Sequence, residues 1–184
     1  MKFFLFFATL LFCMKSNDNF GDKNLTLVNR HLHQEVVMAV TNRFPVCSIM
    51  TGSSKGAGNT LKQLTYGFDI CQPLSKDEAR GLLIGIIETF LYVVNHDEFS
   101  KPWFYSYPFN FDSLEVVVFI QDRDGNQLSH PSISIVEIEK GKVKFRTREY
   151  DDIPKYVETS EEPFEEAYFK IKKKKFDIKD YVRD

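Results

Sequence analysis

The sequence predicts an α+β fold in which a long, buried helix precedes an antiparallel sheet. Residues 81–94 are apolar around almost the whole circumference of a helix, which is typical of a helix buried on most sides. From Leu114 to residue 150 the apolar residues instead recur at every second position, the period of a strand. Strands that follow a helix in this way favour a helix packed across one face of the sheet.

The N-terminus has the pattern of an export signal. Lys2 is followed by an uncharged, apolar run of eleven residues from Phe3 to Cys13. A bilayer-spanning helix needs about 20 apolar residues, whereas a signal peptide needs about 7–15. We therefore expect residues 1–16 to be a signal peptide cut after Ser16, and the protein to be exported, whether periplasmic, tethered to the envelope or secreted.

A second interpretation of this end is a lipoprotein signal. Leu10-Leu11-Phe12-Cys13 resembles a bacterial lipobox, except that Phe12 stands where that motif has a small residue. Cys13 would then be the lipidated first residue of the mature protein. Residues 17–24 are polar and would serve as a tether between the membrane and the folded domain.

A single α+β domain is expected over residues 25–150, beginning with a helix. Apolar residues recur at helical spacing from Asn24 to Phe44, and Pro45 ends the pattern. Residues 51–60 are rich in glycine and serine and predict a flexible loop. This loop does not match a phosphate-binding motif, because Ala57-Gly58 stands where that motif requires Gly-Lys.

The next two elements are a strand and the long helix. Apolar side chains alternate over residues 61–71, which indicates a strand. Ser75 and Glu78 have the spacing of a capping box, which predicts a helix from Lys76 to His96. A small membrane-associated protein is an alternative interpretation of this apolar helix, although Glu88 lies in its middle.

Three strands and a charged tail complete the chain. Alternation over residues 114–121, 132–139 and 142–150, with turns at 122–126 and 140–141, predicts a three-stranded antiparallel meander. Residues 151–184 form a charged C-terminal extension that is acidic up to Glu166 and basic from Lys170 to Lys175. We expect a short helix there over about residues 161–174.

Charge and cysteine content narrow the functional classes. The net charge of the whole chain is −2, so the basic patch typical of nucleic-acid binding is not expected. Cys47 and Cys71 remain after removal of the signal. In an oxidising compartment they would form a disulfide, and otherwise they would be small buried hydrophobic residues. Cysteine and histidine do not follow a zinc-binding spacing, and we expect no metal site and no cofactor.

The most unusual segment is the aromatic loop, residues 99–111, in which seven of thirteen residues are aromatic and two are proline. A loop of this length cannot bury seven rings within itself. We therefore expect about half of them to cover the sheet and the rest to form a surface that binds a protein or a glycan. Trp103, Tyr105 and Tyr107 are the predicted contact residues, because their polar groups tolerate partial exposure to water.

These observations favour a non-enzymatic binding or structural domain that acts through the aromatic loop. The alternative is a small exported hydrolase with a histidine-based site at His33, or at His96 with Asp97 and Asp69. The chain contains no GxSxG nucleophile motif. His31 and His33 are two residues apart, so they do not share a helix face.

Overall fold

A computed structural model describes residues 20–55, 58–149 and 155–182. The predicted signal peptide, residues 1–16, and Cys13 lie outside the described residues. The described chain contains three α-helices and six strands: α1 Phe20–Thr41, β1 Ser48–Lys55, β2 Leu61–Ile70, α2 Lys76–His96, β3 Leu114–Ile120, β4 Ile135–Glu139, β5 Lys142–Glu149, β6 Lys155–Pro163 and α3 Phe164–Lys172.

The strands form one mixed sheet in the order of the sequence, β1 to β6. Strands β2 and β3 are parallel and are connected by α2, whereas every other neighbouring pair is antiparallel. The α+β class predicted from the sequence is therefore correct, and the core of the fold is a β–α–β unit extended by hairpins on both sides.

The helices cover one face of this sheet. The inward-facing side chains of β2 and β3 are fully buried. The buried apolar side chains of α1, α2 and α3 pack into the same hydrophobic core. The ring of Tyr66 on β2 packs edge-on against Phe90 of α2, with centroids 4.9 Å apart. The opposite face carries cross-strand ion pairs such as Arg146–Glu137.

Helix α2 has the bounds that its capping box predicts. The Ser75 hydroxyl accepts a hydrogen bond from the backbone N–H of Glu78, and the Glu78 carboxylate accepts one from the backbone N–H of Ser75 at 2.8 Å. These bonds satisfy two donors that a helix N-terminus otherwise leaves unpaired. Helix α1 begins at Phe20, four residues before the predicted start, so it includes part of the segment expected to be a tether.

The prediction of a flexible loop over residues 51–60 was wrong for residues 51–55, which form most of β1. This strand pairs with β2, and Met50 lies opposite Gly67 while Gly52 lies opposite Thr65. Small side chains lower the intrinsic strand preference, but backbone pairing with a buried neighbour overrides it.

The predicted three-stranded meander was also incomplete, because β6 adds a fourth strand after β5. Charged residues predominate in β6, so it has no apolar alternation for sequence analysis to detect. Its acids instead pair with lysines of β5, as in Glu161 with Lys142 at 2.7 Å. The C-terminal helix consequently starts at Phe164 and not near residue 161.

Two charged clusters, one buried and one partly exposed, attach the C-terminal part to α2. Arg80 and Glu162 form an ion pair that is almost completely buried, and Lys170 also contacts the Glu162 carboxylate. About two turns further along α2, Glu88 contacts Lys172 and accepts a hydrogen bond from the Tyr181 hydroxyl at 2.9 Å. In the segments that the structure describes, no helix is long and apolar enough to cross a membrane.

Candidate functional site

The aromatic loop is fixed to the end of α2 by one buried side chain. The side-chain amide of Asn95 donates to the carbonyl of Phe109 at 2.9 Å, and its oxygen accepts from the N–H of Phe109 at 2.8 Å. The Tyr107 hydroxyl donates to the backbone carbonyl of Asn95 at 3.1 Å. Because Asn95 is only 2% exposed, these bonds hold the loop in one conformation.

The seven rings of the aromatic loop divide into three groups by exposure. Phe104, Phe109 and Phe111 are buried in the core beneath the loop. Trp103 and Tyr107 are partly buried against that core. Phe99 and Tyr105 are 58% and 57% exposed, which is unusual for large hydrophobic side chains.

Of the predicted contact residues, Tyr105 is therefore the one that projects most into solvent. Trp103 rests on the core, and Tyr107 lies beneath the Lys101 ammonium, 4.6 Å from the ring centroid. Phe99 was not among the predicted contact residues, because these were chosen for their polar groups and Phe99 has none. Its exposure depends on how the segment after α2 packs against α1, where His31 contacts its ring, and sequence pattern does not reveal this packing.

A second group of rings, the ring cluster, includes Phe99 and lies where the middle of α1 meets the end of α2. His31 packs edge-on against Phe99 with centroids 5.2 Å apart, and its Nε2 atom is 3.3 Å from the Asp97 carboxylate. Tyr92, itself 56% exposed, stacks on His96 at 4.1 Å. The ring cluster thus comprises two ring pairs, His31 with Phe99 and Tyr92 with His96, and Asp97 contacts His31 and follows His96 in the sequence.

His33 occupies a different position, in a shallow groove between α1 and β1. Its Nδ1 atom shares a hydrogen bond with the hydroxyl of Tyr66. Burial lowers the pKa of His33 to about 4 and raises the pKa of Tyr66, so both side chains are neutral at physiological pH. A neutral imidazole with so low a pKa is a weak general base.

The groove beside His33 has a volume of about 380 Å³. Most of its lining surface is apolar, although six of its seven lining residues have polar side chains: Thr26, Asn29, Arg30, His33, Gln34, Val37 and Thr51. Sequence analysis did not find it, because its residues come from α1 and from a strand that was predicted to be a loop. Among the described residues, the buried Oδ1 atom of Asn29 has no hydrogen-bond partner. The described lining of the groove contains no carboxylate or thiol that would complete a hydrolytic site with His33.

The predicted combination of His96, Asp97 and Asp69 is not brought together. Asp69 lies near the end of β2 that leads into α2, whereas His96 and Asp97 lie where α2 ends, beside the loop that pairs with the start of β2. Burial raises the pKa of Asp69, against the effect of a hydrogen bond from Ser48. His96 is bonded to the backbone carbonyl of Tyr92 at 2.7 Å.

Cys47 and Cys71 lie side by side, one just before β1 and the other just after β2. Their Cα atoms are 6.5 Å apart, a separation compatible with a disulfide. Cys47 is exposed, which does not match a small buried hydrophobic residue. No group of three or more histidine, cysteine or acidic side chains in the described segments is placed to hold a metal ion.

A second groove, of about 410 Å³, lies between the start of α2 and the loop before β4. Its two most polar lining groups already have partners within the protein. The Ser75 hydroxyl caps α2, and the Lys76 ammonium donates to the Ser160 hydroxyl at 2.7 Å. The groove therefore presents mainly apolar walls and is less suited to specific recognition than the surface around Phe99.

No protein-family model, curated protein or solved structure matches this chain.

Proposed function

We propose that this protein is an exported, non-enzymatic binding domain whose contact surface comprises the aromatic loop and the ring cluster. One observation carries the proposal: Tyr92, Phe99 and Tyr105 are each more than half exposed, yet the backbone around them is held by buried anchors. Exposed aromatic side chains on a rigid support are typical of residues that contribute most to binding energy at protein interfaces.

The chemistry of this surface favours a protein ligand. It combines apolar rings with the imidazoles of His31 and His96 and with the carboxylate of Asp97. Apolar contact area surrounded by a few directional polar groups is the usual composition of a protein interface. A glycan stacked on the same rings is the second ligand class that fits, and the experiment below separates the two.

The hydrolase alternative is less well supported by the geometry. Its best position is His33, where the groove supplies the hydroxyls of Thr26 and Thr51 as the only nucleophile types in its lining. Burial holds the pKa of His33 at about 4, so this imidazole is a poor acceptor for a hydroxyl proton at neutral pH.

The binding test replaces the two most exposed loop rings together, Phe99→Ala and Tyr105→Ala. The protein is cross-linked in its own host, and the captured partner is identified and then titrated against the purified variants. We expect the double variant to bind at least about 30-fold more weakly, because truncating a dominant interface residue costs about 2 kcal/mol or more. Trp103, the only tryptophan of the chain, lies in the loop and reports binding through its fluorescence.

Phe169→Ala is the matched control for this test. Phe169 is 52% exposed, similar to Phe99, but it lies on α3. Binding by this variant should equal that of the unmodified protein. Equal affinity of the double variant would refute the proposed surface, and retention on immobilised glycans without any captured protein would assign the surface to sugars.

Export is proposed from the N-terminal sequence and has its own test. The intact mass of the protein from its native host, with its N-terminus determined by fragmentation, should correspond to a chain that starts near Asn17 or at a lipidated Cys13. A lipidated Cys13 would make the domain a tethered envelope component. A chain that retains Met1 would contradict the export proposal.

A further inference from the structure

The two edges of the sheet differ in how they are protected against pairing with another strand. Edge strand β6 carries Lys155, Glu158 and Glu161, ends at Pro163, and adjoins an irregularity in its pairing with β5. Charges, proline and bulges are the usual features that prevent an edge strand from pairing with further chains. The β6 edge is thus well protected.

Edge strand β1 has such features only at its last residue, Lys55, where its pairing with β2 is also irregular. Residues 48–54 contain neither a charged side chain nor a proline, and their pairing with β2 is regular up to Ser54. In the described part of the chain β1 pairs with β2 alone. Ser48, Met50, Thr51 and Ser53 are exposed. A regular, uncharged edge of this length is a template for an added strand.

The sequence of β1 is complementary to itself when two copies run antiparallel about a two-fold axis at Thr51. Met50 of one copy then lies opposite Gly52 of the other, and Ile49 lies opposite Ser53. Each large side chain meets a small one, and Thr51 meets Thr51, a favourable cross-strand pair. The pairing of Met50 with Gly67 of β2 follows the same rule within the sheet.

The groove between α1 and β1 adds a second argument, because it borders the position that the added strand would occupy. Thr51 lines this groove together with Asn29, whose buried Oδ1 atom has no hydrogen-bond partner in the described segments. In the two-fold arrangement Thr51 of the second copy lies beside Thr51 on the same face of the sheet. The two hydroxyls can hydrogen-bond to each other across the axis.

We propose that two copies of this protein pair through their β1 edges, antiparallel and with the two-fold axis at Thr51, to form one continuous sheet. The interface is isologous, so it closes on itself and leaves only the protected β6 edges at the two ends of the dimer sheet. The dimer interface on β1 is separate from the aromatic loop and the ring cluster. The dimer proposal therefore does not depend on the proposed binding function.

The test measures the molar mass of the purified protein by sedimentation and by light scattering over about 1–100 µM. The unmodified protein should be a dimer, and Thr51→Lys should be a monomer, because two lysines would face each other across the axis. Thr159→Lys on β6 is the matched control and should remain a dimer. Circular dichroism at equal concentration checks that each variant is folded.

A second experiment, with opposite charges at position 51, separates loss of the dimer from a general loss of folding stability. Thr51→Lys and Thr51→Glu should each be monomeric, whereas an equimolar mixture should recover the dimer mass, and more strongly at low salt. A monomeric unmodified protein at 100 µM, a dimeric Thr51→Lys variant, or a monomeric Thr159→Lys variant would each overturn the proposal.

Discussion

At the scale of single residues, several buried polar groups of this protein are stabilised by a specific partner. Tyr66 shares its hydroxyl with His33, and Arg80 pairs with Glu162. Burial alone would raise the pKa of Glu162, but hydrogen bonds from Arg80 and Lys170 lower it below the usual range. Such groups are retained only where partners compensate for the lost hydration.

His33 should make folding stability depend on pH. Burial holds its folded-state pKa at about 4, whereas the unfolded chain has the ordinary value near 6.5. The unfolded state therefore takes up a proton first, and the contribution of His33 to stability falls as the pH decreases from about 6.5 to about 4. His33→Gln should show a smaller loss of stability over this range in urea unfolding at pH 7 and pH 4.5.

His130→Gln is the control for this prediction, because His130 is exposed in the loop before β4. Its pH dependence should equal that of the unmodified protein. An unchanged pH dependence in His33→Gln would show that the buried histidine does not determine the acid sensitivity.

At the scale of elements, α2 is specified by its own local sequence, whereas the edge strands β1 and β6 are specified by pairing with their neighbours. Helix α2 begins at a complete capping box and buries most of its circumference, so local signals specify it fully. Strands β1 and β6 have no such local signals. β1 forms because its backbone pairs with β2, and β6 forms because its backbone pairs with β5. In β6, glutamates that pair with lysines of β5 add to this stabilisation.

Removal of the N-terminal cap should show how much the capping box of α2 contributes to the free energy of unfolding. Ser75→Ala eliminates the hydroxyl that accepts from the N–H of Glu78, and it should cost about 1 kcal/mol of unfolding free energy. The melting temperature should fall by about 2–4 °C for a domain of this size. Ser106→Ala, at an exposed position of the aromatic loop, should leave the melting temperature unchanged. Equal melting temperatures for all three proteins would contradict the assigned role of the cap.

At the scale of the whole molecule, the C-terminal part closes the core over α2. Phe176 packs between Phe164 and Tyr181, with ring centroids 5.2 and 5.7 Å away. The Tyr181 hydroxyl reaches both Tyr168 and the Glu88 carboxylate, and burial together with these bonds raises its pKa. The chain end thus contributes to the same core as the sheet.

Removal of the Tyr181 hydroxyl should show whether the C-terminal part contributes to the stability of the core. Tyr181→Phe keeps the ring but removes a hydrogen bond to a charged carboxylate, and it should reduce the unfolding free energy by about 1.5–3 kcal/mol in urea titration. Tyr105→Phe, which removes a hydroxyl from an exposed ring, is the matched control and should change stability by less than about 0.5 kcal/mol. A Tyr181→Phe variant as stable as the control would show that the tail is not part of the cooperative core.

The amino-acid sequence by itself determined the α+β class, the bounds of α2 and the presence of the strands that became β2 to β5, because these depend on caps, turns and apolar periods within one segment. Only the tertiary structure decided that β1 and β6 join the sheet, that Phe99 projects while Phe109 is buried, and that His96 lies far from Asp69. These outcomes depend on contacts between segments distant in the chain. The partners that provide backbone pairs, opposite charges or apolar cover are specified only when the chain is folded.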